Sequence, residues 1–251
     1  MYSPEAPLPP SETLPTMYDL PSEDPEEPGL PDEFHLFQPQ LLQETCQPPT
    51  YPQSQVFIGI DLNLYYDGRH PSWYKRPDWF VALDVERARR QTDLRWSYVV
   101  WQETVAPFLV VELLSPGTEA DDLGQTLREV NQPPTKWQAY EQILRVPYYA
   151  IFDRYENQFR LFQLVGARYE ERSLAGQYYW FKEIELGLGV WQGEYKGVSG
   201  AWLRWQYADQ RWVPTDSEQA QAAQQEAQAA QRKAERLAAR LRELGIDPET
   251  V

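Results

Sequence analysis

Three charged side chains have the types and the spacing needed to hydrolyse a phosphodiester. Asp78 directly follows a proline, Glu112 interrupts a long apolar run, and Lys136 lies in a helix-like segment. Two carboxylates on neighbouring strands can hold a divalent metal ion, and a lysine can orient or deprotonate water or neutralise developing charge. Glu112 is the most informative of the three, because an unpaired charge in an apolar strand costs on the order of several kcal/mol or is neutralised.

Each of these side chains also has an ordinary structural explanation. Asp78 can be a turn residue, Glu112 can pair with an arginine in the core, and Lys136 can face solvent on its helix. The three together favour a site, because an apolar sheet then places charges at consecutive strand ends. The carbonyl oxygen of Leu113, next along the strand from Glu112, is a candidate third metal ligand.

The supply of metal-binding side chains limits the kind of metal. The chain has one cysteine, Cys46, and two histidines, His35 and His70. It therefore forms no intrachain disulfide, no thiolate zinc site and no all-histidine site. Oxygen ligands remain, and they predict Mg²⁺ or Mn²⁺.

Length and composition predict one substantial folded domain with extensions. The chain has 251 residues, 42% of them hydrophobic, and its ten Trp and sixteen Tyr favour a sheet-rich interior. The net charge of −15 is concentrated at the start, since residues 1–50 hold ten acidic residues and no Lys or Arg. Residues 51–215 hold 21 acidic and 18 basic residues, a balance that neither favours nor excludes a phosphate-bearing substrate.

The sequence divides into four segments. The first is rich in Pro and acidic residues and is predicted to be disordered, and the third has a heptad pattern. The segments are an acidic tail at 1–31, a folded domain at 32–215, a C-terminal helix at 216–245 and a short tail at 246–251.

Within the domain, apolar patterns predict two helices and at least seven strands. The helices are predicted at 32–45 and 135–144. The strands are predicted at 56–66, 79–83, 107–114, 148–152, 159–164, 178–181 and within 186–205.

The C-terminal helix is predicted to be a coiled-coil element. Its apolar residues recur at alternating spacings of three and four, and Gly245 and Pro248 then end the helix. Such a helix pairs with a copy of itself or folds onto the domain, although a single soluble helix rich in Ala and Gln is also open, because alanines bury little area. The heptad residues are Ala220, Ala223, Ala227, Ala230, Ala234, Leu237, Leu241 and Leu244.

The sequence shows no feature of a secreted or membrane protein. No basic stretch followed by an apolar core opens the chain, and the longest nearly apolar run, 105–114, is about half the length of a membrane helix. We therefore expect a cytoplasmic protein with no membrane partner.

Four stretches of the chain resemble the Uma-type family of restriction endonucleases, a large group abundant in cyanobacteria. The group belongs to the nuclease superfamily named for its Pro-Asp and (Asp/Glu)-x-Lys motifs. The stretches are RPDWF at 76–80, PFLVVELLSPGTE at 107–119, KWQAYE at 136–141 and VPYYAIFD at 146–153. The resemblance covers roughly residues 50–215, and the run from Glu112 to Thr118 is its most specific part.

The resemblance implies a restriction-endonuclease-like α/β (α+β) core with a mixed central sheet flanked by helices. It also implies that Asp78 and Glu112 bind Mg²⁺ or Mn²⁺ and that DNA is the substrate. One departure from the superfamily is plain, because Leu114 stands where the motif expects lysine. The family places that lysine on the following helix, where Lys136 matches it.

Other polar residues near these motifs have weaker predicted roles. Ser115 and Thr118 cap the turn after their strand or contact phosphate, and capping is favoured. Asp121 and Asp122 are expected in an exposed acidic loop, with a metal ligand as the alternative. Asp153 is expected to cap the end of its strand.

Four arginines between the two carboxylate-bearing strands are candidates for binding the DNA backbone. A solvated hairpin tip explains them equally well. They are Arg87, Arg89, Arg90 and Arg95.

Three functions remain open from the sequence. The first is a magnesium-dependent DNA endonuclease, acting as a dimer if two strands are cut. The second is a catalytically inactive nuclease-fold protein that binds partners through its C-terminal helix. The third, hydrolysis of another phosphate-bearing substrate, has nothing in its favour, because no phosphate-cradling Gly-rich loop is present.

Overall fold

The computed structural model describes residues 13–16, 33–114, 122–125 and 132–243. The chain forms two compact units, Met1–Val213 and Pro214–Val251. Most of the predicted acidic tail and all of the segment 246–251 lie outside the described residues.

The described part of the first unit contains twelve β-strands and three short α-helical segments. The strands are β1 (Val56–Ile60), β2 (Leu64–Tyr65), β3 (Tyr74–Lys75), β4 (Trp79–Leu83), β5 (Tyr98–Val99), β6 (Leu109–Leu113), β7 (Tyr148–Asp153), β8 (Gln158–Val165), β9 (Arg168–Glu171), β10 (Tyr178–Phe181), β11 (Leu186–Tyr195) and β12 (Val198–Gln206). The helices are α1 (Glu33–Thr45), α2 (Val100–Glu103) and α3 (Lys136–Gln138), and α3 continues as a π-helix over Ala139–Ile143.

A six-stranded mixed sheet carries the core of the first unit. Its strand order is β1-β4-β6-β7-β8-β9, with β6 and β7 parallel and all other neighbours antiparallel. Two three-stranded sheets accompany it, in the orders β10-β11-β12 and β3-β2-β5. This mixed α/β architecture confirms the predicted fold class.

The two faces of the six-stranded sheet pack against different elements. Trp79, Val111 and Leu113 point to the face that is covered by α1 and by the β10–β12 sheet. Phe80 and Val110, one position away on the same strands, point to the opposite face, toward the π-helix and β2. Every residue of β4 and β6 is buried, which explains why both strands read as nearly continuous apolar runs.

Helix α1 is fixed by a polar contact to an edge strand as well as by apolar packing. The buried Gln38 amide donates to the carbonyl oxygen of Leu203 on β12 at 2.9 Å and accepts from its backbone N–H at 2.8 Å. This side chain therefore satisfies both free backbone groups of one residue at the edge of the β10–β12 sheet. Phe34 stacks on Trp202 of the same strand at 5.7 Å between ring centroids.

The predicted elements differ from the structure mainly in their detail. The strands predicted at 79–83 and 178–181 have the observed bounds. The Gly-punctuated segment 186–205 is a two-stranded hairpin, β11–β12, whose turn uses Lys196 and Gly197 at positive φ. The helix predicted at 135–144 is a short α-helical turn followed by a π-helix.

The second unit contains one long helix, α4 (Asp216–Glu243). A capping box begins it, since Thr215 Oγ1 accepts from the backbone N–H of Glu218 at 3.2 Å and the Glu218 carboxylate accepts from the N–H of Thr215 at 2.8 Å. No side chain of α4 is buried, and 58% of Leu237 is exposed.

Across the described ranges, no helix combines the length and the apolar character needed to cross a membrane.

We expect Gly59→Ala to destabilise the domain by about 1–3 kcal/mol, as overpacking does. Gly59 pairs with Phe80 on β4, and an added Cβ would lie 2.1 Å from Cε1 of that fully buried ring. Thermal unfolding measures the loss. Gly200→Ala is the matched control, because its nearest neighbouring atom is 3.8 Å away; an equal melting temperature for the two variants would contradict the packing described here.

Candidate active site

The register of the central sheet brings the two predicted carboxylates together. Trp79 on β4 pairs with Val111 on β6, so the preceding Asp78 lies opposite Glu112. Residues directly opposite in an antiparallel pair place their side chains on one face, with Cβ atoms about 4.5–5.5 Å apart. Asp78 Oδ2 also accepts a 2.6 Å hydrogen bond from the backbone N–H of Leu113, which fixes this carboxylate against the end of β6.

Lys136 enters the site from the first turn of α3. Thr135 caps this helix: its Oγ1 accepts from the N–H of Gln138, and the Gln138 side chain accepts from the N–H of Thr135, both at 3.1 Å. The capping box fixes the residue that follows it, which is Lys136. A lysine in the first turn faces the positive end of the helix dipole, so its position must be stabilised by other charges.

Two buried carboxylates provide that stabilisation. Lys136 Nζ lies 3.0 Å from Oε2 of Glu112 and 2.9 Å from Oδ1 of Asp122. Both carboxylates are at most 1% exposed, and the lysine side chain is 19% exposed. The solvent-facing lysine and the arginine-paired Glu112 considered from the sequence are therefore not observed.

Asp122 corrects a prediction made from the sequence. It was expected in an exposed acidic loop, but its side chain is buried beside Lys136. Gly124, at φ +69°, lets this segment pack closely on α3, since a Cβ there would lie 2.7 Å from Cγ of Trp137. Tyr149 adds a buried hydrogen bond from its hydroxyl to the Asp122 carbonyl oxygen at 3.0 Å.

Tyr140 holds the second oxygen of Glu112. It follows Lys136 by four residues, so both side chains project from the same side of the helix. The Tyr140 hydroxyl donates to Glu112 Oε1 at 2.9 Å, while Lys136 donates to Oε2 at 3.0 Å. Glu112 is therefore held by both carboxylate oxygens from one helical segment.

His35 reaches the same end of the sheet from α1. Its Nε2 donates to the carbonyl oxygen of Leu113 at 3.2 Å, because a carbonyl can only accept. His35 also lies near enough to Asp78 to lower the pKa of that carboxyl. The Leu113 carbonyl oxygen keeps a second lone pair for another partner.

Burial and mutual repulsion dominate the electrostatics of what we call the charge cluster: Asp78, Glu112, Asp122 and Lys136. Burial raises the pKa of Asp78 above its ordinary value, with Lys136 opposing the shift. The pKa of Glu112 is raised well above its ordinary value by burial and by the other two carboxylates. Burial alone would lower the pKa of Lys136, but the three carboxylates raise it well above its usual range.

The donor set of the charge cluster fits a divalent cation. Three carboxyl groups surround one ammonium group, so acidic groups outnumber the cation in a buried setting, and this excess helps to raise the pKa values of Asp78 and Glu112. Among the described side chains, no three acidic, His or Cys groups converge to form a metal centre by themselves. A site for Mg²⁺ or Mn²⁺ would use the carboxylates of Asp78 and Glu112, because Mg²⁺ is usually bound through one or two carboxylates, with waters and substrate phosphates completing the shell.

Comparison with known proteins gives a family match over most of the domain. The model of the Uma2 family, described as "Putative restriction endonuclease", matches residues 13–191. The chain belongs to the Uma2 family. No curated protein matches the chain. The family match supports a nuclease-like function for this Uma2 protein.

The four candidate DNA-binding arginines of this Uma2 protein lie away from the charge cluster. They follow the last residue of β4, whereas Asp78 precedes its first, and five strand residues span about 17 Å. Three of them form ion pairs, Arg89 with Glu86, Arg90 with Asp93 and Arg95 with Glu103. Arg87 is exposed, and no ion pair of its side chain occurs within the described ranges.

Among the weaker candidates, Asp153 has the capping role that the sequence predicted. Its Oδ1 accepts from the backbone N–H of Tyr155 at 2.8 Å and of Glu156 at 3.2 Å. Ser115, Thr118 and Asp121 lie outside the described residues.

We expect Asp78→Asn to stabilise metal-free Uma2 protein by about 1 kcal/mol or more at neutral pH, because it removes one excess buried charge. Native Asp78 keeps its proton to higher pH than the unfolded chain does, since its pKa is raised. Wild-type stability therefore falls as pH rises through the native pKa, and asparagine does not titrate. Denaturant unfolding in the presence of a chelator measures the difference. The free energy of unfolding of Asp78→Asn should exceed that of wild type by more at pH 8 than at pH 4.5.

Asp67→Asn is the control of opposite sign. Partial burial opposes the shift, but hydrogen bonds from Arg69 and His70 lower the pKa of Asp67 to about 2. The Asp67 carboxylate therefore contributes its full stabilisation at pH values above the pKa that Asp67 has in the unfolded chain. The Asp67→Asn variant should lose a similar free energy of unfolding at pH 5 and pH 8. A gain for Asp78→Asn that does not grow with pH would contradict the electrostatics of the charge cluster.

Proposed function

We propose that this Uma2 protein is a metal-dependent DNA endonuclease whose site is the charge cluster. The observation that carries the proposal is the placement of Lys136 between Glu112 and Asp122, with Asp78 opposite Glu112 across two adjacent strands. Such a concentration of buried carboxylates around one lysine is costly for stability, and functional sites are where proteins retain such costs.

The metal in this proposal is Mg²⁺ or Mn²⁺, held by Asp78, Glu112 and the carbonyl oxygen of Leu113. When bound, the ion would polarise the phosphate and help generate the attacking hydroxide. The chain contributes the positions of these oxygens: Tyr140 and Lys136 orient Glu112, and the Leu113 N–H orients Asp78. His35 orients the Leu113 carbonyl group.

Lys136 is proposed to act on the attacking water. Its raised pKa depends on the excess negative charge around it. Once a divalent cation compensates that charge, burial works in the opposite direction and lowers the pKa of the ammonium group. Lys136 can then accept a proton from water, or remain charged and stabilise the pentacovalent phosphate.

The alternative is a nuclease fold without activity that serves as a binding module. It is favoured by the ion pairs of Lys136 with Glu112 and Asp122, which already compensate part of the buried charge without any metal. In that case the charge cluster has a structural role only. Added metal then neither raises the melting temperature of the protein nor causes cleavage of DNA. The nuclease proposal includes a cytoplasmic location. This location agrees with the expectation from the sequence and with a DNA substrate.

We expect purified protein with Mg²⁺ or Mn²⁺ to nick supercoiled plasmid, and Lys136→Ala and Glu112→Gln to lose at least about 100-fold in rate, the scale of one acid–base or charge-stabilising group. Gel assays measure nicking. Lys136→Arg keeps the positive charge, but a guanidinium group neither gives up nor accepts a proton at neutral pH. Residual activity in that variant would therefore assign an electrostatic role to Lys136.

Controls separate loss of chemistry from loss of fold. Lys182→Ala removes an exposed lysine outside the cluster and should cut like wild type. Melting curves with and without Mg²⁺ should show stabilisation of wild type but not of Glu112→Gln. Intact plasmid with both ions, together with no thermal shift, would favour the structural alternative.

Arg154 is a better candidate than the Arg87 group for contacting DNA. It directly follows β7, whose carboxyl end lies beside that of β6 because Phe152 pairs with Leu113. Its guanidinium lies 4.9 Å from the centre of the Phe34 ring, next to His35. If a DNA phosphate is held in the charge cluster, the adjacent phosphates of the same DNA strand would therefore lie near Arg154.

We expect Arg154→Gln to weaken DNA binding and to reduce the slope of log affinity against log salt by about 1. Binding is measured by fluorescence anisotropy in the Glu112→Gln background, where DNA stays intact. Arg87→Gln, at the far end of β4, is the matched control and should bind like its parent. The reverse result would favour the arginines predicted from the sequence.

A further inference from the structure

Helix α4 presents an apolar seam that nothing in its own unit covers. Alanines form the seam in its amino-terminal part, and Leu237 and Leu241 form it in its carboxyl-terminal part. No side chain of the helix is buried, and Leu237 is 58% exposed. A heptad seam that is not buried at any position of a 28-residue helix is typical of a helix that has a helical partner.

We propose that α4 pairs with α4 of a second copy of this chain, in antiparallel orientation. Each helix thus binds the same seam of the other copy, and the two helices run in opposite directions. The proposal concerns an interaction surface and is independent of the nuclease function.

The sizes of the seam residues favour the antiparallel orientation. A parallel pair would place alanine against alanine in one half and leucine against leucine in the other. The two helices would then need a small separation in one half and a larger one in the other. An antiparallel pair places Leu237 and Leu241 on alanines, so no layer holds two leucines, and only the central layers, where Ala230 lies on Ala234 of the partner subunit, hold two alanines.

The charges of the helix favour the same orientation. Residues 216–228 contain three carboxylates and no Lys or Arg, whereas residues 229–243 contain five basic and two acidic residues. Antiparallel pairing sets the acidic half of one helix against the basic half of the other, and parallel pairing sets like against like. Within the described residues, Glu226 beside the seam forms no ion pair, so it is available to a partner.

Matching leucines to alanines also selects a register. Leu237 lies on Ala227 of the partner subunit, and Leu241 lies on Ala223 of the partner subunit. Glu226 then lies beside Arg240 of the partner subunit. Within its own helix Arg240 makes only an exposed pair with Glu243, at 2.7 Å, and such pairs contribute little.

This register has one unfavourable contact, which makes it testable. The two copies of Lys233 meet at the twofold axis, because position 233 lies near the centre of the paired segments. Removing that charge should strengthen the dimer. A parallel pair would place Lys233 beside Ala238 of the partner subunit and would not respond.

The oligomeric state of the full chain tests the pairing. We expect a dimer by light scattering after size exclusion, and a monomer for Leu237→Glu/Leu241→Glu. The control Gln225→Glu/Gln228→Glu adds the same charge on the outer face of the helix and should remain dimeric. Lys233→Gln should dissociate at lower concentration than wild type. A wild-type monomer at assay concentrations, as expected for a lone helix or one folded onto its own domain, overturns the proposal.

Cysteine crosslinking tests the orientation in a Cys46→Ala background. Positions 223 and 241 are 18 residues apart, about 27 Å along a helix. In the antiparallel register, Ala223→Cys or Leu241→Cys alone gives no crosslinked dimer, whereas coexpressed chains carrying one each form a disulfide on oxidation. Crosslinking of either variant alone shows parallel pairing, and no crosslink in the coexpressed sample excludes the register; either result overturns the proposal.

Discussion

The structure of the site depends on the ion pairs of one lysine with two buried carboxylates, Glu112 on β6 and Asp122 in the segment that follows this strand. Removing the partner of a buried charge typically costs about 3–5 kcal/mol, so Lys136, Glu112 and Asp122 stabilise one another only as a set. The surrounding polar groups are arranged accordingly. Tyr140 donates to the Glu112 oxygen that Lys136 leaves free, and the Leu113 N–H donates to Asp78. Compensation remains incomplete, and this is the feature of the site on which the proposal of a bound divalent cation rests.

The sheet supplies the geometry of the cluster through its two-residue period. Asp78 and Glu112 share a face because Trp79 pairs with Val111, and a slip of one residue would turn either carboxylate into the opposite apolar layer. Close packing on both faces prevents that slip. The capped first turn of α3 then brings Lys136 to the same face, at a helix position that is unfavourable for a lysine unless carboxylates are near.

Patterns local in the sequence predicted much of this arrangement. The apolar runs predicted the strand that Asp78 precedes and the strand that carries Glu112, and the family resemblance pointed to Lys136. Tyr140 carried a usable signal, since it lies one helical turn after Lys136. Asp122 was considered only as an alternative metal ligand and His35 carried no signal, because their places depend on the Gln38 contact to β12 and on the packing of Gly124 against Trp137. Such contacts join distant segments, and neither composition nor periodicity reports them.

The position of the arginine group shows how strand direction limits functional inference. Arg87 and its neighbours are only nine to seventeen residues from Asp78, yet β4 carries the chain about 17 Å away before they occur. Arg154 is 76 residues from Asp78 but follows a strand whose carboxyl end lies beside that of β6. For a site built at one end of a sheet, the relevant basic residues are those that leave neighbouring strands at that end. Proximity in sequence therefore favours the Arg87 group, whereas strand order together with strand direction favours Arg154.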